Sequence, residues 1–165
     1  MILGDNIYHG NGFTPIFKEA VVNAQDNKTT IFRYYVYDSE RFGIVEFDED
    51  EKVISVEVKP QNPKSNYCTT GLNFYDNQVV DFTKKVKPSS RGELVITDLN
   101  RMHLEDGTLN VKLLGKSYEW LDTGTIDSLV ETVEFVQMIE KRQRIKISTL
   151  GIIAYHIDWI DKQTL

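Results

Sequence analysis

Four short segments carry side chains suited to a phosphorylated ligand. Leu3-Gly4-Asp5-Asn6 reads as the end of a strand entering a turn, with an acid at its tip. Trp120-Leu121-Asp122-Thr123-Gly124-Thr125 repeats that arrangement at a strand-to-helix junction. Two carboxylates at neighbouring strand ends can hold Mg²⁺, which takes a few carboxylates together with waters and phosphate oxygens. Open α/β sheets bind ligands at this kind of edge. In Val56-Glu57-Val58-Lys59-Pro60, a lysine ahead of a strand-ending proline can present a compact charge to a phosphate. In Ser90-Arg91-Gly92-Glu93, an arginine beside glycine can reach a phosphate bidentately while the backbone approaches closely.

Each segment by itself also has an ordinary reading. Asp5 alone is a turn-forming or capping acid, Lys59 a charge that keeps a strand edge from pairing, and Arg91 a loop residue. His9, His103 and His156 are scattered without metal-ligand spacing. Cys68 has no catalytic partner nearby in sequence and reads as a small core residue. No glycine-rich phosphate loop occurs in the chain.

The net charge of −6 offers no basic excess for a nucleic-acid backbone. No apolar run is long enough for a membrane-spanning helix, and the single cysteine suits a reducing cytoplasm. With 165 residues, 41% of them hydrophobic, the expectation is one domain over 1–165.

The elements that must position these groups alternate between the two types. Thr14-Pro15 predicts a helix start, with Phe13, Ile16, Phe17, Ala20, Val21 and Ala24 at helical spacing behind it. Residues 29–37 read as a strand. Residues 43–47 and 53–58 flank the acidic turn Asp48-Glu49-Asp50-Glu51 as a hairpin, and 67–75 form another strand. Helices are expected over 76–86 and 97–104, and strands over 109–114 and 118–121. Thr125 caps a long helix with Leu129, Val130, Val133, Val136 and Ile139 along one stripe. The order is α/β, with a mixed sheet covered by helices and an inserted hairpin. Residues beyond Ile145 give no clear pattern.

The four segments, together with Arg41-Phe42-Gly43-Ile44-Val45-Glu46-Phe47, Lys64-Ser65-Asn66-Tyr67 and Thr70-Gly71-Leu72, resemble the glucose-1-phosphate thymidylyltransferases in residue and order. The resemblance implies the central and C-terminal part of a Rossmann-like nucleotidyltransferase fold. It implies that Asp5 and Asp122 hold Mg²⁺ and act in catalysis. Lys59 and Arg91 would bind the sugar phosphate, and Gly43, Thr70, Gly71 and Trp120 would line the sugar pocket. The implied substrate is glucose 1-phosphate or a similar sugar phosphate, which attacks the α-phosphorus of dTTP to give dTDP-glucose, a step of dTDP-rhamnose synthesis, and pyrophosphate.

The family's Gly-x-Gly-Thr-Arg loop has no counterpart here, so a truncated fold, little nucleotide binding and no turnover by this chain alone are expected. Val58 stands where the family has a glutamate that contacts sugar hydroxyls, Phe42 where it has tyrosine, and Val95 where it has glutamate. The alternatives are a non-catalytic module that self-associates and one piece of a split enzyme. Association into an oligomer is expected, through a sheet left with reduced cover at Ile31 and Val36.

Overall fold

The computed structural model describes residues 1–49, 52–89 and 92–165. They form two compact units: Met1–Gly4 with Gly10–Tyr118, and Asp5–His9 with Glu119–Leu165.

In the first unit, helix α1 (Phe13–Gln25) is followed by strands β2 (Thr29–Tyr35), β3 (Gly43–Phe47), β4 (Val53–Val58) and β5 (Tyr67–Phe74). Strand β1 (Asn6–Gly10) precedes α1 and belongs almost wholly to the second unit. Helices α2 (Val79–Thr83) and α3 (Ile96–Glu105) and strand β6 (Leu109–Leu113) complete the first unit. The sheet order is β4-β3-β5-β2-β6, with β2 and β6 parallel and the other neighbours antiparallel. This is the expected mixed α/β sheet, with the hairpin β3–β4 at one edge.

Strand β2 is an interior strand, paired on both sides, and its first five residues are all buried. Phe32 meets Phe17 of α1 and Phe74 of β5 at ring separations of 5.9 and 6.1 Å. Toward α3, Thr29 Oγ1 lies 3.2 Å from Nδ1 of the fully buried His103. The ring of His103 also packs on Phe82 and Tyr75, so this histidine is a core group.

Four local differences from the sequence reading have physical causes. Helix α1 begins at Phe13 rather than beyond Thr14, with Gly12 as its cap at φ 88°. Pro15 then sits within the first turn, where its missing N–H costs no helical bond. Phe13 is held there by the rings of Phe17 and Tyr118. Helix α2 is shorter than 76–86, because Asp76 accepts from the Gln78 amide at 3.0 Å and forms a turn instead. Residues 6–10 form a strand that the sequence reading missed. Ile31 is fully buried and Val36 half-buried, so Ile31 does not belong to an uncovered surface.

Ahead of the Gly4-Asp5 turn, Ile2 bridges Leu72, and Leu3 N donates to Gly71 O at 2.8 Å. Met1–Leu3 therefore lies beside β5, beyond the point where Ile44 of β3 pairs with Cys68. In the second unit, β1 pairs with β7 (Tyr118–Asp122), followed by α4 (Ile126–Gln143) and α5 (Leu150–His156). Thr125 caps α4 as expected, and Ser128 returns a bond to complete a reciprocal capping box. The stripe on α4 faces outward over Leu129, Val130 and Val133, and Ile126 beside them is 82% exposed.

Candidate functional site

The predicted site residues fall into one group in each unit. In the first, Gly43 opens β3 directly opposite Val58, the last residue of β4. Lys59 follows, and its amide donates to Phe42 O at 3.0 Å. Lys59 has φ 40°, a left-handed conformation uncommon for a side-chain-bearing residue. Non-glycine residues held there cluster at functional sites, because surrounding structure must enforce the conformation. The turn into Pro60 and the closing bond to Phe42 supply that enforcement and fix where the ammonium stem departs.

The backbone of Gly43 is crowded for a different reason. A Cβ at this position would lie 2.9 Å from Thr69 Oγ1 and 3.2 Å from Thr97 Oγ1. Only glycine leaves room for these two hydroxyls beside the strand. Thr70 and Gly71 follow Thr69, where the β2–β5 register shifts between Ile31 and Arg33. Such irregularities re-aim side chains and recur beside active sites. Thr70 is buried, and its Oγ1 has no hydrogen-bond partner among the described residues.

Around the end of the hairpin, Lys64 Nζ lies 3.3 Å from Glu46 Oε2 and 3.6 Å from Glu57 Oε1. Ser55 donates to Glu46 at 2.9 Å. That hydroxyl, followed by the ammonium, holds the Glu46 carboxyl below its ordinary range, while Glu46 raises Lys64. Lys64 is thus committed to acids of the hairpin, whereas Lys59 forms no ion pair among the described residues.

In the second unit, β1 starts where β7 ends. The carbonyl of Asp5 accepts from Thr123 N at 2.9 Å and from Thr123 Oγ1 at 3.0 Å. Asp5 is therefore fastened to the residue that follows Asp122. The Asp122 carboxylate folds back over Gly124, where a Cβ would stand 3.2 Å from Oδ2 and 3.4 Å from Oδ1. Trp120 is 7% exposed and donates its indole N–H to Asn6 Oδ1 at 2.6 Å. Asn6 Nδ2 donates in turn to Asp5 Oδ1 at 2.7 Å.

Asp5 and Asp122 offer hard oxygen donors on adjoining backbone, a donor set that fits Mg²⁺ rather than a thiolate- or imidazole-seeking metal. No group of three or more His, Cys, Asp or Glu is assembled among the described residues. A two-carboxylate site that takes its remaining ligands from water and phosphate needs none. Arg91 lies outside the described residues. Nothing in the sequence signals the linking role of Asn6, which depends on β1 and β7 lying side by side.

Comparison with known proteins defines the class. The nucleotidyl transferase family pattern matches residues 1–138, and the chain belongs to that family. A glucose-1-phosphate thymidylyltransferase of Neisseria meningitidis serogroup A is 50% identical over 165 residues, covering all of this chain and 57% of that protein. One from Neisseria gonorrhoeae is 51% identical over 163 residues, covering 99% of this chain and 56% of that protein. A crystal structure described as a putative glucose-1-phosphate thymidylyltransferase from Bacillus anthracis, in complex with a sucrose, superposes with TM-score 0.70 at 37% identity. It covers 81% of this chain and 52% of that one. An apo UDP-glucose pyrophosphorylase gives TM-score 0.70 at 16% identity, over 87% of this chain and 54% of that one, a likeness of fold. The chain thus spans a little over half the length of the curated relatives it matches. Those relatives carry the thymidylyltransferase name, and none is described as a purely structural module.

Proposed function

We infer that this chain carries the sugar-phosphate and metal-binding portion of a glucose-1-phosphate thymidylyltransferase. The observation that carries the reading is the lock between Asp5 and Thr123, which ties one acid to the backbone beside the other. The substrate is glucose 1-phosphate or a close sugar phosphate, and the whole enzyme's reaction joins it to a thymidylyl group with loss of pyrophosphate.

Such a transfer needs positioning and charge neutralisation more than a protein nucleophile. Asp5 and Asp122 would hold Mg²⁺, which neutralises charge on phosphate oxygens when bound. Lys59 presents its ammonium to the sugar's phosphate from a backbone fixed by Phe42, and Arg91 supplies a second cation by family resemblance. Gly43, Thr70 and Gly71, on strands β3 and β5, border the sugar by family resemblance. Trp120 belongs to the sugar-binding set by family resemblance, and within the second unit its N–H is already given to Asn6. Val58 offers no hydrogen-bonding group where the family uses a glutamate, so recognition of the sugar hydroxyls is weaker here.

The chain contains no Gly-x-Gly-Thr-Arg loop. By itself it binds the sugar phosphate without turning it over, because a triphosphate lacks the donors that would align it. The assembly-only reading is disfavoured, since it gives no reason for Asp5, Lys59, Arg91 and Asp122 to be retained together. No helix among the described residues is long and apolar enough to cross a membrane. The test is pyrophosphate release from dTTP, glucose 1-phosphate and Mg²⁺ with this chain alone. A background rate is expected, whereas turnover on the order of 1 s⁻¹ or faster, an ordinary enzymatic rate, would refute the claim of incompleteness.

A further inference from the structure

Asn6 joins two residues of the second unit that the family resemblance treats separately. An indole N–H can only donate, so the Asn6 atom facing Trp120 must be the amide oxygen. The amide nitrogen is then turned toward Asp5, where the carboxylate can only accept. Reversing the carboxamide would set donor against donor and acceptor against acceptor. Its orientation is therefore dictated from both ends rather than chosen by one of them.

Both ends rest on β7. Trp120 is a buried residue of that strand, and Thr123, just beyond it, holds the Asp5 carbonyl. The Asp5 backbone and side chain are thus fixed from β7 by separate bonds. Asp5 Oδ1 takes the Asn6 bond, and the other carboxylate oxygen receives no hydrogen bond from the described residues.

We propose that Asn6 is a positioning residue, set by Trp120, that holds the Asp5 carboxylate ready for a divalent cation. This rests on the reading of Asp5 as a metal-binding group. A group that hydrogen-bonds a ligating carboxylate fixes its direction before the metal arrives, and loss of such a partner typically weakens metal binding by about 10–100-fold. Trp120 then contributes to metal affinity through Asn6 and not by contact.

Two measurements test the proposal. The first needs no metal: the indole ¹H–¹⁵N signal of Trp120, with the exposed Trp159 as an internal reference. Asp5→Ala is expected to move the Trp120 signal and leave that of Trp159 in place, and the movement should vanish in an Asn6→Ala background. A Trp120 signal indifferent to Asp5→Ala, or moving equally without Asn6, overturns the relay. The second is Mn²⁺ affinity by electron paramagnetic resonance. Asn6→Ala and Trp120→Phe should each weaken binding by about tenfold, and the double variant should bind no worse than Asn6→Ala. Fully additive losses overturn the relay. Wild-type protein that binds no Mn²⁺ would remove the metal reading instead, leaving the indole signal to decide the contact. Thermal melts of each variant identify any that fails to fold, and the Asn6→Ala and Asp5→Ala pair suffices if Trp120→Phe does.

Discussion

Lys59 and Gly43 stand next to one another at the hairpin, yet they should respond oppositely to substitution. Lys59 occupies a left-handed conformation that glycine adopts freely, so Lys59→Gly removes the charge while relieving the backbone. Stability should hold or rise by up to about 1 kcal/mol, while glucose 1-phosphate affinity falls. Gly43→Ala should do the reverse to stability. Its added methyl meets the Thr69 and Thr97 hydroxyls, for a loss of about 1–3 kcal/mol from overpacking. Chemical denaturation of both variants checks the pair, and equal destabilisation would contradict the conformational argument. These effects were only half legible in the sequence. Lys59 stood out by type and by its proline neighbour, but nothing in the letters reveals φ 40° or the hydroxyls facing Gly43. Asn6 likewise shows its role only once β1 and β7 bring the Trp120 indole to its carboxamide.

Among the elements, α3 carries the clearest pH dependence. Burial pushes the His103 imidazole below its ordinary value of 6.5, with Asp76 and Asp106 opposing the shift in part. The folded state therefore prefers the neutral ring. Below 6.5 the unfolded chain takes up a proton that the native state resists, so stability falls with pH toward the lower folded value. Thermal midpoints should drop between pH 7.5 and 5.5, and His103→Gln should flatten that slope whatever its effect on the midpoint itself. A slope unchanged by the substitution would place the acid sensitivity elsewhere. At the start of α4, Thr125→Ala removes the cap to the Ser128 amide. The expected cost is about 1 kcal/mol, a shift of roughly 2–4 °C in Tm. Period and capping made most elements readable, including β2, the β3–β4 hairpin and α4. The misses were those that depend on partners. Strand β1 is short and mostly polar, and it exists because β7 lies beside it. Helix α2 was overextended because Asp76 prefers its own turn to a helical one.

On the scale of the whole chain, apolar surface remains in water. The exposed face of α4 presents Ile126, Leu129, Val130 and Val133, rather than the Ile31 region that the sequence suggested. An apolar helical stripe of this kind is normally covered. The chain is therefore expected to associate with a second copy at micromolar concentration, and Val130→Glu with Val133→Glu should shift it toward monomer. Sedimentation velocity decides the matter: a compact monomer before substitution would show that the stripe is tolerated in water. The fold class and family were legible from the order of motifs, because each local signal agreed with the others. The outward turn of the α4 stripe was not, since periodicity marks an apolar face without saying what lies against it.

The most direct test of the account is calorimetric titration of glucose 1-phosphate into this chain, with and without Mg²⁺. Saturable binding is expected, weakened by Lys59→Ala by about tenfold or more, the scale of one charge-assisted phosphate contact worth ~1.5–3 kcal/mol. Asp122→Asn should remove only the part that depends on Mg²⁺. Absence of binding at millimolar ligand, or binding indifferent to Lys59→Ala, would contradict the claim that this chain carries the sugar-phosphate site.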